Sequence, residues 1–148
     1  MMQPDQRLNE LLERLRRRRR RLTPQRMAIL RILTSTEEHL SVEQIHEHVK
    51  AEFPMTSLAT VYKTISLLKE MGELLELKFA NNSNRYDGKK PHPHPHLLCT
   101  RCQSIVDVEI PALEELSQNI ADTYGYHILG HRLDFLGVCP VCQQITIQ

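Results

Sequence analysis

Two cysteine pairs constrain the fold of this 148-residue chain more strongly than any other feature of its sequence. Two residues separate Cys99 from Cys102, and two separate Cys139 from Cys142. Each pair can present two sulfur atoms from one tight turn, and two such turns supply the four ligands of a tetrahedral zinc ion. Four thiolates leave no position for a substrate, so the predicted role of the Zn2+ is structural. A set of redox-active dithiols is the alternative interpretation of the same spacing.

The redox state of the cellular compartment helps to decide between a zinc site and redox-active dithiols. The N-terminus, Met-Met-Gln-Pro-Asp, lacks the apolar segment of a secretory signal, and no apolar run reaches the roughly 18 residues of a membrane span. We therefore expect a cytoplasmic protein with no membrane partner. In a reducing compartment cysteines bind metal more often than they form disulfides.

Charge is distributed unevenly along the chain. Residues 1–31 contain ten Lys or Arg against three Asp or Glu, whereas residues 32–148 contain nine against fifteen. Arg16 to Arg21 form an uninterrupted run of six, which favours a polyanionic partner for this end of the chain. Aromatic residues make up only 5% of the sequence, so a surface that stacks on the bases of single-stranded nucleic acid is not expected.

Helix signals fill the first part of the sequence. Apolar residues with helical spacing predict one helix before the arginine run, and Thr23-Pro24 is typical of the start of a second. Ser41-x-x-Gln44 is a capping box for a third helix. A fourth helix is predicted to begin at Thr56 or Ser57, with a buried apolar stripe formed by Leu58, Val61, Ile65 and Leu68.

A hairpin is predicted after these helices. Leu75, Leu77 and Phe79 alternate with polar residues, as in a half-buried strand, and Arg85–Asp87 begins the return strand after a turn at Asn81–Asn84. Helices followed by a hairpin are the order of a winged-helix DNA-binding domain. We therefore predict an α+β protein whose residues 1–88 form that domain.

Residues 89–148 are predicted to form a small α/β dimerisation domain. Strands are expected at His96–Leu98, Ile105–Ile110 and Ile128–Val138, with a helix over Ala112–Tyr124. A unit of this size is marginally stable alone and usually requires a metal or a partner chain.

A histidine cluster precedes the first cysteine pair. His92, His94 and His96 alternate with prolines, which favour extended backbone, so that neighbouring histidines point to one face. Imidazoles in this arrangement suit Fe, Mn or Zn. An exposed polar linker is the alternative. Asp87, Asp107 and His39 are candidates to complete a site, although each alone is typical of an ordinary surface residue or cap.

The fourth predicted helix also carries candidate DNA contacts. Ser57, Thr60, Lys63 and Thr64 lie on its polar side, with Tyr62 at the edge. This pattern suits a recognition helix in the major groove, and it also suits a solvated helix face. Sequence-independent phosphate contacts are predicted for Arg17, Arg18, Arg19 and Arg20.

Three segments together resemble the ferric-uptake-regulator family of bacterial metal-dependent repressors. Leu22-Thr23-Pro24-Gln25-Arg26 resembles the opening of the family's second helix, and Ser57-Leu58-Ala59-Thr60-Val61-Tyr62 resembles its recognition helix. The histidine-rich stretch and the two cysteine pairs resemble its metal-binding dimerisation domain. Within the family, the sequence is most similar to the peroxide-sensing branch.

The resemblance implies a regulatory Fe2+ or Mn2+ site formed by His39, Asp87, His94, His96 and Asp107. The iron-sensing branch typically has glutamate in place of Asp87 and Asp107, and the zinc-sensing branch generally uses a cysteine in its regulatory site. The implied function is that of a homodimeric repressor that binds a palindromic operator in double-stranded DNA. Peroxide would release it by oxidising a ligand histidine; the alternative is an iron-responsive repressor.

Enzymes form the competing functional class. A zinc hydrolase needs an open coordination position with a general base beside it, and the sequence contains no HExxH motif or HxE motif followed by CxxC. A thiol oxidoreductase would instead use the cysteine pairs without zinc. We expect that the protein is not an enzyme.

Overall fold

Capping residues set the start of three helices in the first part of the chain. Thr23 caps α2 by accepting a hydrogen bond from the Arg26 amide, and Ser57 caps α4 in the same way. Ser41 and Gln44 form the predicted capping box at the start of α3. The helices are α1 (Pro4–Arg17), α2 (Pro24–Ser35), α3 (Val42–Glu52) and α4 (Leu58–Glu70).

The structure is a computed structural model that describes residues 4–78 and 84–145, and it divides into two compact units, Met1–His92 and Pro93–Gln148. Phe79 and positions 81–83 of the predicted turn lie outside the described residues. Within those ranges, none of the helices has the length and apolar character needed to cross a membrane.

The first unit has a continuous apolar core. Side chains from all four helices bury together with Leu74 and Tyr86, which belong to or adjoin the short hairpin of β1 (Leu75–Leu77) and β2 (Arg85–Asp87). The two strands pair antiparallel, and Tyr86 also forms an isolated bridge with Leu40. The hairpin is thereby tied to the loop that precedes α3, and this loop carries His39.

Two predictions for α4 are wrong in detail. Leu58 lies in the first turn of the helix and is exposed, whereas Val61, Ile65 and Leu68 are buried as predicted. Thr64, predicted on the polar side, is fully buried. Its hydroxyl donates to the Thr60 carbonyl within the same helix (3.0 Å), so burial leaves this hydroxyl with a partner.

The second unit is built on a three-stranded sheet with the order β4-β3-β5. Its elements are β3 (His96–Cys99), β4 (Ile105–Asp107), α5 (Leu113–Tyr124), β5 (Asp134–Gly137) and a short α6 (Pro140–Gln143) that the sequence patterns do not predict. β3 pairs antiparallel with β4 and parallel with β5. Strands β4 and β5 are shorter than predicted, since the pairing with β3 extends over three residues of β4 and four residues of β5.

The second unit buries few of its own residues. Of residues 93–145, only Pro95, His96, Cys99 and Cys142 are buried. Helix α5 has no buried residue and exposes Leu116, Ile120 and Tyr124. An amphipathic helix with an uncovered apolar side is typical of a surface that another chain covers.

Candidate metal sites and DNA interface

The four cysteines converge at the ends of secondary-structure elements in the second unit. Cys99 ends β3 and Cys102 follows in the next turn, while Cys139 caps α6 and Cys142 lies within it. Their Sγ atoms all lie within 4.8 Å of one another.

The sulfur spacing distinguishes zinc binding from a disulfide. The Sγ atoms of Cys102 and Cys139 are 3.8 Å apart, and all four cysteines are free thiols. A disulfide requires about 2.05 Å. A tetrahedron with Zn–S bonds of about 2.3 Å has edges of roughly 3.8 Å. The cluster therefore fits zinc.

Hydrogen bonds shift the pKa values of the cysteines within this cluster in opposite directions. The amides of Cys139 and Cys102 donate to Cys99 Sγ over 3.3 and 3.5 Å, and these bonds lower the pKa of the Cys99 thiol to about 6. A bond with the Cys139 side chain raises the pKa of Cys142 to about 12. The pKa of the Cys102 thiol is also lowered, chiefly by a hydrogen bond with the Ser104 side chain. The thiolate, which is the form of cysteine that binds metal, is therefore favoured at Cys99 and Cys102.

His39 and Asp87 form a buried pair in the first unit, which we call half-site A. His39 Nε2 lies 3.3 Å from Asp87 Oδ2, and both side chains are more than nine-tenths buried. The other Asp87 oxygen, Oδ1, accepts hydrogen bonds from the backbone amides of Lys89 (3.0 Å) and Lys90 (2.9 Å). These two bonds fix the carboxylate so that Oδ2 faces the imidazole.

The backbone around half-site A is also anchored. Arg85 Nη1 donates to the His39 carbonyl (3.2 Å), and Lys89 Nζ forms an ion pair with Glu37, two residues before His39. The loop with His39 and the segment with Asp87 are therefore joined by bonds on both sides of the pair.

His94, His96 and Asp107 form a second cluster in the second unit, which we call half-site B. Asp107 Oδ1 lies 3.0 Å from His94 Nε2 and 3.5 Å from His96 Nε2. The centroids of the two imidazole rings are 4.4 Å apart. The strand register explains this grouping, because His96 pairs directly with Asp107 across β3 and β4.

The donor atoms of both half-sites suit a divalent metal without sulfur ligands. Adjacent corners of an octahedron with bonds of about 2.1 Å are roughly 3 Å apart, close to the separations within each half-site. Imidazole nitrogen and carboxylate oxygen suit Fe(II) and Mn(II).

Sequence reasoning missed Asp134 at half-site B. Its Oδ1 lies 3.5 Å from His96 Nδ1, on the opposite side of the ring from Asp107. A carboxylate beside the second nitrogen of a ligand histidine orients the ring and selects its tautomer. The parallel pairing of His96 with Asp134 puts it there, and a pairing between distant strands leaves no local sequence signal.

The predicted DNA contacts lie on the surface of the first unit. Tyr62 (47% exposed), Lys63 and Ser57 are exposed, and Thr60 is partly exposed. Tyr62 and Lys63 line a groove with Arg20 and Arg26. The end of the arginine run therefore lies beside the fourth helix within one unit.

The arginine run is only partly helical. Helix α1 ends at Arg17, and Arg19 adopts a left-handed backbone conformation (φ 53°). Arg16 to Arg21 are all exposed. Arg26 Nη1 donates to the Arg21 carbonyl (2.7 Å), which holds the end of the run against α2.

Comparison with known proteins gives consistent matches. The model of the Ferric uptake regulator family matches residues 17–136. The peroxide-responsive repressor PerR of Staphylococcus epidermidis is 34% identical over 140 residues, which cover 95% of this chain and 93% of that protein.

Solved structures show the same architecture. The ferric uptake regulator of Helicobacter pylori, reported with three functional metal binding sites, superposes with a TM-score of 0.83 at 21% identity over 97% of this chain and 96% of that one. PerR from Streptococcus pyogenes, studied for peroxide sensing and gene regulation, matches with a TM-score of 0.53 at 31% identity, covering 92% of each chain. These matches confirm the predicted fold class, an N-terminal winged-helix domain followed by a dimerisation domain.

Proposed function

Because this chain belongs to the ferric uptake regulator family, and is therefore a metal-dependent transcriptional repressor rather than an enzyme, we propose that the signal it senses is peroxide. The observation that carries this proposal is the ligand set. Both carboxylates of the half-sites, Asp87 and Asp107, are aspartates, whereas the iron-sensing branch typically has glutamates there. The similarity to proteins named peroxide-responsive repressors supports the same conclusion.

The proposed metal content is one structural Zn2+ and one regulatory Fe2+ or Mn2+ per chain. Cys99, Cys102, Cys139 and Cys142 would hold the zinc. Half-sites A and B would together provide three imidazoles and two carboxylates for the regulatory ion. Each half-site alone offers too few donors for a six-coordinate metal.

The proposed switch depends on where these ligands come from. Half-site A belongs to the unit with α4, and half-site B belongs to the unit with the apolar face of α5. One ion bound by both would tie the DNA-binding unit to the dimerisation unit. In a homodimer this would set the spacing of two recognition helices on a palindromic operator, with the metal as the ligand that favours one state.

Homodimerisation is supported by the exposed apolar side of α5. A chain that buried Leu116, Ile120 and Tyr124 against a second copy would gain the core that the second unit lacks. Operator binding is assigned to Ser57, Thr60, Tyr62 and Lys63, and sequence-independent phosphate binding to Arg17, Arg18, Arg19 and Arg20.

Peroxide sensing would act on the imidazoles that hold the metal. Bound Fe(II) would supply the redox chemistry that cleaves the O–O bond of hydrogen peroxide. One peroxide oxygen would then be inserted into a ring C–H bond of a neighbouring imidazole, and the other would leave as water, so that the imidazole provides the two electrons that reduce the peroxide. The family resemblance points to His39 and His94. An oxidised imidazole loses its donor nitrogen or its geometry, so half-sites A and B would separate and the repressor would leave DNA.

Mass spectrometry after brief peroxide treatment tests this proposal. We expect one added oxygen on His39 or His94 in Fe(II)-loaded protein, none in Mn(II)-loaded protein, and loss of operator binding only in the former. His127, an exposed histidine outside both half-sites, is the matched control and should stay unmodified. Asp107→Glu should keep metal-dependent DNA binding but weaken the peroxide response, because a longer carboxylate arm changes the metal's geometry.

Two results would contradict the proposal. Oxidation confined to the four cysteines would indicate a thiol-based sensor. Equal responses of the Fe(II) and Mn(II) forms to peroxide would favour the iron-responsive alternative.

A further inference from the structure

A buried arginine outside all predicted sites contacts the segment that carries a candidate ligand. Arg7, in α1, is only 4% exposed, although it is charged and lies in the first two turns of the chain's first helix. A buried guanidinium requires several acceptors to offset the loss of its hydration. The acceptors therefore indicate what this side chain does.

Arg7 binds two distant parts of the first unit. Its Nε donates to the Gly88 carbonyl (2.9 Å), while Nη1 and Nη2 donate to the Glu73 carboxylate and the Glu73 carbonyl (3.0 Å each). Glu73 follows the C-terminal end of α4, and its amide donates to the Leu68 carbonyl in that helix. Gly88 directly follows Asp87. One guanidinium thus joins the end of the recognition helix to half-site A.

The bond to Gly88 acts on the turn that aims the Asp87 carboxylate. Lys89 and Lys90, whose amides hold Asp87 Oδ1, are the next two residues after Gly88. The Gly88 carbonyl belongs to the same peptide unit as the Lys89 amide. Fixing that carbonyl therefore fixes the direction of one of the two N–H groups that orient the carboxylate.

We propose that Arg7 is a positioning residue of the regulatory metal site and that α1 is thereby required for full metal affinity. This inference rests on the proposed assignment of Asp87 as a metal ligand. Only an arginine can make these contacts at once, because its planar fork donates in three directions and a lysine ammonium cannot span them. Removing an outer contact of a ligand typically costs roughly 10- to 100-fold in metal affinity.

The test is Mn(II) titration of zinc-loaded full-length protein carrying Arg7→Lys. This variant keeps a positive charge beside Glu73 but removes the bond to Gly88, so we expect roughly 10-fold weaker Mn(II) binding or more with unchanged zinc content. Arg14→Lys is the matched control. Arg14 binds the same Glu73 carboxylate without a bond to Gly88, so Mn(II) affinity should stay within about twofold of wild type.

A second measurement separates positioning from general destabilisation. In Arg7→Lys, hydrogen exchange should accelerate at the Lys89 and Lys90 amides in the metal-free protein, while exchange in α2 and α3 stays at the wild-type rate. If Arg7→Lys folds poorly, the double variant Arg7→Gln/Glu73→Gln removes both charges together. It should show the same loss of Mn(II) affinity.

The outcomes distinguish this inference from the proposed function. Wild-type Mn(II) affinity in Asp87→Asn would overturn both. Weakened binding in Asp87→Asn together with wild-type binding in Arg7→Lys would overturn the role of Arg7 alone. Equal losses in Arg7→Lys and Arg14→Lys would also overturn it, because the effect would then follow Glu73 rather than Gly88.

Discussion

Replacing Gly88 with alanine should destabilise the first unit through a steric overlap that cannot relax. A Cβ added at Gly88 would lie 2.8 Å from Leu33 Cβ and 3.0 Å from the Leu33 carbonyl oxygen. Both atoms belong to or adjoin the backbone of α2, so no side-chain rotation removes the overlap. The segment after β2 and helix α2 would have to move apart.

The magnitude follows from two opposing effects. Overpacking of this kind costs about 1–3 kcal/mol. Alanine also lowers the conformational entropy of the unfolded chain relative to glycine, which stabilises the folded protein by about 0.4–1 kcal/mol. We expect a net loss of about 1–2 kcal/mol in the free energy of unfolding. For a folded unit of this size, each kcal/mol lost from the free energy of unfolding lowers Tm by about 4–8 °C.

Thermal unfolding by circular dichroism, with zinc bound, measures this loss. Gly137→Ala is the matched control, because a Cβ there meets no atom within 4 Å, and its Tm should not fall. A double variant with Leu33→Ala should not recover stability, since alanine retains both clashing atoms. Recovery in the double variant, or a Gly88→Ala protein as stable as wild type, would refute the steric argument.

Other expectations concern zinc and DNA. Cys99→Ser should release the zinc and abolish the dimer, as measured by metal analysis and size-exclusion chromatography, because metal binding and folding are coupled in so small a unit; a zinc-free dimer with an unchanged Tm would contradict this. Tyr62→Ala should weaken binding to the operator more than to random DNA, and equal decreases for both in a fluorescence-anisotropy titration would argue against base readout. Replacing Arg17–Arg20 with glutamine should weaken binding to both DNAs and reduce the slope of log K against log salt by about 0.9 for each phosphate that is no longer neutralised. An unchanged slope would indicate that the arginine run does not contact DNA phosphates.

Local signals are sufficient where a side chain acts on its own segment. Thr23, Ser41 and Ser57 each bond an amide three residues ahead, and such caps can be identified from a few letters of sequence. The cysteine spacing is equally local, since each pair occupies one turn. These features predict the starts of three helices and the composition of the sulfur cluster.

Sequence reasoning fails where burial depends on a distant partner. Arginine side chains are usually exposed, so the sequence gives no sign that Arg7 is buried. Its hydrogen-bond acceptors lie 66 and 81 residues away in the sequence. The hydroxyl of Thr64 suggests a solvated position, yet the fold buries Thr64 completely, and a local bond to the Thr60 carbonyl satisfies the hydroxyl there. Asp134 contacts His96 only through a parallel strand pairing that no local pattern specifies.

The second unit of a single chain buries few of its own residues, and this has a consequence for gene dosage. Of its described residues, those that are buried are Pro95 and three candidate metal ligands, so a single chain has little to fold around. Protomers should then be stable only when paired and zinc-loaded, and the folded fraction should depend on total concentration. Halving expression would reduce working repressor by more than half. A chain with a damaged α5 face would pair poorly, so its own second unit would stay largely unfolded and would add little working repressor.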